Sequence, residues 1–286
     1  MMRAFHTLRS CNGKIEHMKD FELMTLILSA LTWRRYNGSI DLVTDVVGKH
    51  YVQSLGVDFI WDEIRIGLDI MDVCNLNENI FWAAGKLAAL YMYEAPCVMI
   101  DLDFIVWKRL NFSRWHGDVV TIHDEPVNNV KYPAKDFFVF PDGAQWKDFM
   151  QQLNWECSAL NTAFAYFQND EFRRIYCQHS LSFMQNVEVN LLAPLRKMNY
   201  MIFAEQRLLP MLAEKYNFTI ETISDEKSLL RDDQELFTHV WGYKGYLVND
   251  LKAADAFCKD CVIRLKQDYY NEFRRLKKQL WFSKYC

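Results

Sequence analysis

Glycine and proline are scarce in this chain of 286 residues, ten and six in all. So few breakers argue against a disordered tract or a long linker. No apolar run approaches the roughly 18–20 residues that span a bilayer, and the first twenty residues hold no signal-peptide core. The formal net charge is −4 and the pI about 6.0, which excludes a broad basic surface for nucleic acid. Neither GxGxxG nor GxxxxGK[ST] occurs, so the dinucleotide turn and the P-loop are both excluded as routes to a nucleotide. Eight cysteines are present, but organised pairs are lacking. Cys258 and Cys261 form a lone CxxC without the second pair or nearby histidine of a zinc site. Cys97 and Cys157 sit in apolar runs, as reduced core thiols do. The setting expected is a reducing cytoplasm.

Apolar residues make up 51% of the chain and aromatics 15%, enough for the core of one large α/β domain. Residues 3–8 read as a first strand. Residues 16–36 read as a helix, with Phe21, Met24, Leu28 and Leu31 at helical spacing and Asn37-Gly38 as its stop. A strand over 40–43, a helix over 47–55 ended by Gly56, and a strand over 57–61 follow. Such alternation predicts a parallel, doubly wound sheet. Further on, a helix is expected over 79–93 with Asn77 or Asn79 as its cap. Strands are expected over 118–122, 137–140, 160–167 and 218–223, and helices over 171–185, 201–216 and most of 250–286. The organisation predicted is a single domain, with halves at 1–125 and 126–248 and a C-terminal helix over 249–286.

The stretch of residues 94–110, EAPCVMIDLDFIVWKRL, stands out. An apolar run after Pro96 ends in Asp101-Leu102-Asp103, where a buried parallel strand would deliver two carboxylates to the ligand edge of the sheet. Two carboxylates in apolar surroundings need a compensating cation, and a divalent metal also carries phosphate oxygens. The plain alternative is that one Asp caps a turn and the other is solvated. His239 offers a nitrogen ligand of the kind Mn²⁺ accepts beside oxygens. Lys86 and Lys244 can neutralise a diphosphate, and Gly242 lets the backbone come close to one. Against this, a helical lysine is commonly a solvated charge, and a histidine beside tryptophan commonly structural.

Taken together these segments resemble the GT-A fold glycosyltransferases, in particular the glycogenin-like (family 8 type) group that uses nucleotide sugars. That family has a Lys-Leu pair on a helix, a hydrophobic strand ending in DxD, an Asn-Ser-Gly strand, an Asp-Gln helix start and a distal HxxGxxK. Here Gly85-Lys86-Leu87 precedes Val98-Met99-Ile100-Asp101-Leu102-Asp103. Asn161-Thr162-Ala163, Glu205-Gln206 and His239-Val240-Trp241-Gly242-Tyr243-Lys244 follow in the same order, over roughly residues 1 to 245. Thr162-Ala163 replaces Ser-Gly, Glu205 replaces Asp, and Lys244 comes one residue early. The resemblance implies a GT-A (Rossmann-like), mostly parallel sheet flanked by helices, with a C-terminal helical extension. It implies hexose transfer from a UDP-sugar to a glycan, lipid-linked or protein acceptor, with a retaining outcome. In that reading Mn²⁺ (or Mg²⁺) sits on Asp101, Asp103 and His239. Lys86, Gly242, Lys244 and Asp101 serve the diphosphate, and Glu205, Gln206 and Asn161 position the sugar, with no protein nucleophile assigned.

Two other functions use the same residues. A haloacid-dehalogenase-type phosphohydrolase also ends a strand in DxD, with one Asp as nucleophile and Asp232-Asp233 as a later acidic pair. That motif ordinarily opens its domain, whereas about a hundred residues precede it here. A non-catalytic nucleotide- or sugar-binding protein is the other. Finally, Arg274, Arg275, Lys277 and Lys278 flank Phe273, Leu276, Leu280, Trp281 and Phe282. That pattern is a packed amphipathic helix with a solvated basic face, or else a peripheral contact with anionic lipid.

Overall fold

The computed structural model describes residues 1–69, 76–128, 130–190, 197–224 and 235–286. It is a mixed α/β fold with a seven-stranded, mostly parallel sheet flanked by helices. The strands are β1 (Ala4–Leu8), β2 (Ile40–Thr44), β3 (Glu63–Ile66), β4 (Cys97–Ile100), β5 (Phe104–Val106), β6 (Val119–Thr121), β7 (Asp124–Glu125), β8 (Ala159–Leu160), β9 (Phe164–Phe167), β10 (Ile220–Thr222) and β11 (Phe237–His239). Their order in the large sheet is β10-β6-β9-β4-β1-β2-β3, while β5 with β11 and β7 with β8 form separate antiparallel pairs. Among the described residues no helix is long and apolar enough to cross a membrane. The chain divides into two compact units. The first holds Met1–Ile66, Ile100–Leu110 and Arg231–Cys286, and the second Gly67–Met99 and Asn111–Leu230.

In the first unit β1, β2 and β3 run parallel. Helix α1 (Asp20–Tyr36) begins four residues later than the spacing predicts, where Glu22 accepts from the Lys19 backbone N–H at 2.9 Å. Acidic residues in its first turn and Arg34 and Arg35 in its last complement the helix dipole. Nearly every residue from Phe21 to Trp33 is buried, as expected of a helix that is apolar on all sides. At its end Gly38 adopts φ +147°, and a Cβ there would lie 2.1 Å from the Met2 carbonyl oxygen. Asp45 caps α2 (Val46–Ser54) by accepting from Gly48 N at 2.6 Å. The strand expected over 57–61 is instead a single 3₁₀ turn, Asp58–Ile60, and the pairing passes to the charged Glu63–Ile66. The apolar run is spent on burying Val57, Ile60 and Trp61. β3 is the sheet's edge, where charge suppresses pairing with other chains.

In the second unit Arg173, buried on a long helix, donates to Leu90 O at 2.8 Å and to Asp170 Oδ1 at 2.8 Å. The helix expected over 79–93 is shorter, α3 (Ala84–Tyr91) with Ala83 at its N-cap. Asn77 closes a turn ahead of it through its backbone carbonyl. Two further helices are α4 (Gln145–Gln151) and α5 (Asp170–Asn186), the latter capped by Asn169. Residues 137–140 form no strand beyond an isolated bridge between Val139 and Glu188. Their alternation is real, since Phe138 and Phe140 are buried and Val139 is exposed. It serves an aromatic cluster with Trp146, Phe183 and Phe203. The helix expected over 201–216 starts earlier and is broken: α6 (Lys197–Ile202), a π-helical turn (Phe203–Arg207) and α7 (Leu208–Tyr216).

The C-terminal segment is helical as expected, in α9 (Leu251–Asp268), α10 (Tyr270–Leu276) and α11 (Leu280–Ser283), and a further helix that the spacing did not predict, α8 (Trp241–Asn249), precedes it. Cys258 and Cys261 are buried free thiols on α9. Burial pushes them up to about 11 and about 12 respectively, so neither is poised as a thiolate.

Candidate metal centre and a second polar cluster

The first unit gathers five of the residues singled out above. Asp101 and Asp103 lie in the tight turn between β4 and β5. β5 pairs antiparallel with β11, and the register sets His239 opposite Phe104. The Val240 N–H then donates to Asp103 O at 3.0 Å. Distant segments are thus stitched together by ladder hydrogen bonds. The ligand atoms of Asp101, Asp103 and His239 all lie within 4.8 Å of one another, and His239 Nε2 is 3.8 Å from Asp103 Oδ1. One helical turn beyond, Lys244 on α8 places Nζ 3.1 Å from Asp103 Oδ2 and 3.6 Å from Glu22 Oε1. Burial lowers the Lys244 ammonium, but Asp103, Glu22 and Asp101 outweigh it, so its pKa lies above the ordinary value. Although this lysine comes one residue early, the helix carries it back to the carboxylates. Gly242 lies on α8 with nothing within 4 Å of where a Cβ would stand, so the space beside it is open.

Beneath this cluster runs a buried relay that composition and motif did not announce. Trp61 Nε1–H donates to His6 Nδ1 at 3.1 Å, which leaves His6 Nε2–H to donate to Ser29 Oγ at 3.0 Å. Ser29 in turn donates to Phe104 O at 2.5 Å. Burial drives His6 down to about 3 despite the charge of Asp103, so it is neutral. The relay clamps Phe104, the first residue of β5 and the neighbour of Asp103.

The second unit gathers the others. Lys86 on α3 is buried and ion-paired with Glu205 Oε1, which also accepts from Thr162 Oγ1 at 2.9 Å. Glu205 and Gln206 lie in the π-helical turn. Tyr176 donates to Glu205 O at 2.6 Å and Ser180 to Ala204 O at 2.9 Å, satisfying carbonyls at the irregular turn. Such turns occur often at functional sites. Three residues missed in the sequence complete this cluster. Glu125 is ion-paired with Lys131, accepts from Tyr132 at 2.6 Å and accepts from Asn161 Nδ2 at 3.2 Å. Tyr132 also meets Gln206 at 2.7 Å. Burial and the Glu125 charge push the Tyr132 phenol up. Burial raises Glu125, but the bonds from Lys131 and Tyr132 prevail and hold it below the usual carboxylate range. Lys131 and Tyr132 lie in an irregular, polar, proline-containing stretch and Glu125 in the two-residue β7 just ahead of it, so no periodicity marks them. The Asp232-Asp233 pair lies outside the described residues.

Fold and cluster define an α/β protein with a two-carboxylate, one-imidazole constellation suited to a hard or borderline divalent cation. The chain belongs to DUF6734, a family of unknown function, whose pattern matches residues 12–279. No curated protein sequence matches it. Among solved structures it is similar to the PaToxG glycosyltransferase, at 11% identity and TM-score 0.41, over 82% of this chain and 72% of that one. It is similar also to apo mouse xyloside xylosyltransferase 1, at 10% identity and TM-score 0.42, over 78% of this chain and 85% of that one. A third is the apo WbbM bifunctional glycosyltransferase, at 9% identity and TM-score 0.41, covering 99% of this chain and 51% of the other. Likeness this slight says nothing of activity.

Proposed function

We propose that the protein is a divalent-metal-dependent glycosyltransferase that moves a hexose from a UDP-sugar to an acceptor. The observation that carries this reading is the convergence of Asp101, Asp103 and His239 from separated segments, with Lys244 on the same carboxylates. The donor set fits Mn²⁺, which takes oxygen and nitrogen together. Asp101, Asp103 and His239 would hold it. When bound, such an ion supplies Lewis-acid stabilisation of charge on a departing diphosphate.

The chain's own residues do the rest of the work. Lys244 presents a fixed positive charge, and the open space at Gly242 admits a phosphate close to the backbone. In this reading Glu205, Gln206 and Asn161 are the polar side chains that meet sugar hydroxyls. Lys86 would meet a phosphate only by exchanging its Glu205 partner. The test is thermal shift with UDP. We expect UDP to raise the melting temperature markedly more with Mn²⁺ than with EDTA, since a ligand that binds only the folded state stabilises it. Asp103→Ala should erase that difference. Equal shifts in chelator would remove the metal from the reading.

A further inference from the structure

Helix α8 buries only Leu247 among its nine residues. Trp241 is 64% exposed, Tyr246 51%, and Leu251 at the start of α9 83%. Single exposed apolar residues are ordinary, but several on two consecutive helices call for an explanation. Val248 and Leu251 edge a surface hollow of about 390 Å³, whose other walls include residues 17–21, Lys284 and Tyr285. Leu280, one turn before Lys284, is 90% exposed. By contrast Phe273, Leu276 and Phe282 are in the core. The C-terminal helices therefore offer Leu280 and charge rather than a whole apolar face.

Charge decides what would cover these residues. Three of the carboxylates on these segments are engaged within the protein: Asp20 by Lys284 and Tyr285, Asp250 by the first turn of α9, and Asp255 by Lys259. Lys19, Lys252, Arg274, Lys277 and Lys278 are exposed, and among the described residues none has a carboxylate partner. Glu16, exposed ahead of the hollow, Asp260 on α9 and Glu272 on α10 are partial counterweights. A symmetric pairing of two such faces would set unpaired cations against one another. A surface of anionic headgroups over hydrocarbon complements both features at once.

We propose that the exposed side chains of α8, the start of α9, α10 and α11 make up one face of the first unit, and that this face docks on an anionic lipid bilayer. Leu251, Val248 and Leu280 enter the headgroup region, the aromatic rings of α8 lie at the interface, and the lysines and Arg274 meet lipid anions. The proposal is independent of the catalytic reading. The test is pelleting of the full chain with phosphatidylcholine vesicles containing none or about 30 mol % phosphatidylserine, at low and physiological salt. Binding should need the anionic lipid and weaken with salt. Leu251→Glu, and separately Lys277→Glu with Lys278→Glu, should each lower the partition coefficient about tenfold, with melting temperature unchanged because all three sites are exposed. Absence of pelleting at low salt, equal binding to neutral vesicles, or binding indifferent to both variants would overturn it. So would a dimer in sedimentation analysis that Leu251→Glu dissociates, which would assign the face to a second copy.

Discussion

Asp103 carries more of the candidate metal centre than any other side chain, because it faces His239 and Lys244 together. Lys244→Ala should weaken diphosphate binding about tenfold while leaving the Mn²⁺ dependence in place, since it removes a charge and no ligand. His239→Ala should do the opposite, lowering the Mn²⁺-dependent part of UDP binding. Calorimetric titration of UDP at fixed Mn²⁺ and in EDTA separates the two, and identical behaviour of both variants would dissolve the division of labour. His6 offers a test free of any ligand. Its folded pKa, about 3, lies below the ordinary 6.5 because burial excludes the charged ring. The unfolded chain takes up a proton below 6.5 that the folded chain refuses. The contribution is therefore complete above about pH 6.5 and is lost as pH falls toward 3, amounting to about 2 kcal/mol by pH 5. Urea unfolding from pH 7.5 to 5 should show that loss, and His6→Gln, which keeps a donor and an acceptor, should flatten it.

Among the elements, two glycines contrast. Gly38 closes α1 at positive φ against the Met2 backbone, so Gly38→Ala should destabilise by about 2 kcal/mol or more. Gly242 lies inside α8 with open space around it, so Gly242→Ala should stabilise the ligand-free protein by about 0.5–1 kcal/mol through helix propensity. If the space beside Gly242 takes a phosphate, the same change should weaken UDP binding. A variant that gains stability and loses no affinity would place the diphosphate elsewhere. The elements also show where periodicity reaches its limit. Residues 137–140 alternate as a strand should, yet an aromatic cluster, not a ladder, satisfies them. Residues 57–61 are apolar as a strand should be, yet the edge position falls to charged Glu63–Ile66. Alternation reports burial on one side and is silent about which backbone lies alongside.

For the whole molecule, the proposed transferase and the phosphohydrolase alternative differ in one assay. The purified chain with Mn²⁺ should slowly hydrolyse a UDP-hexose and leave a generic aryl phosphate intact. The reverse outcome would make an aspartate of the DxD a nucleophile instead of a metal ligand. Much of the α/β alternation and the terminal helices was written in the sequence by itself, because hydrophobic spacing and capping are local. The apolar run ending in Asp101 and Asp103 was equally plain, since charge breaks an otherwise buried strand. The tertiary structure decided the rest. Only the β5–β11 register sets His239 beside Asp103. Only the π-helical turn and an unpatterned loop set Tyr132 against both Gln206 and Glu125. Pairing between distant segments depends on which backbone groups find each other, and no local periodicity encodes that.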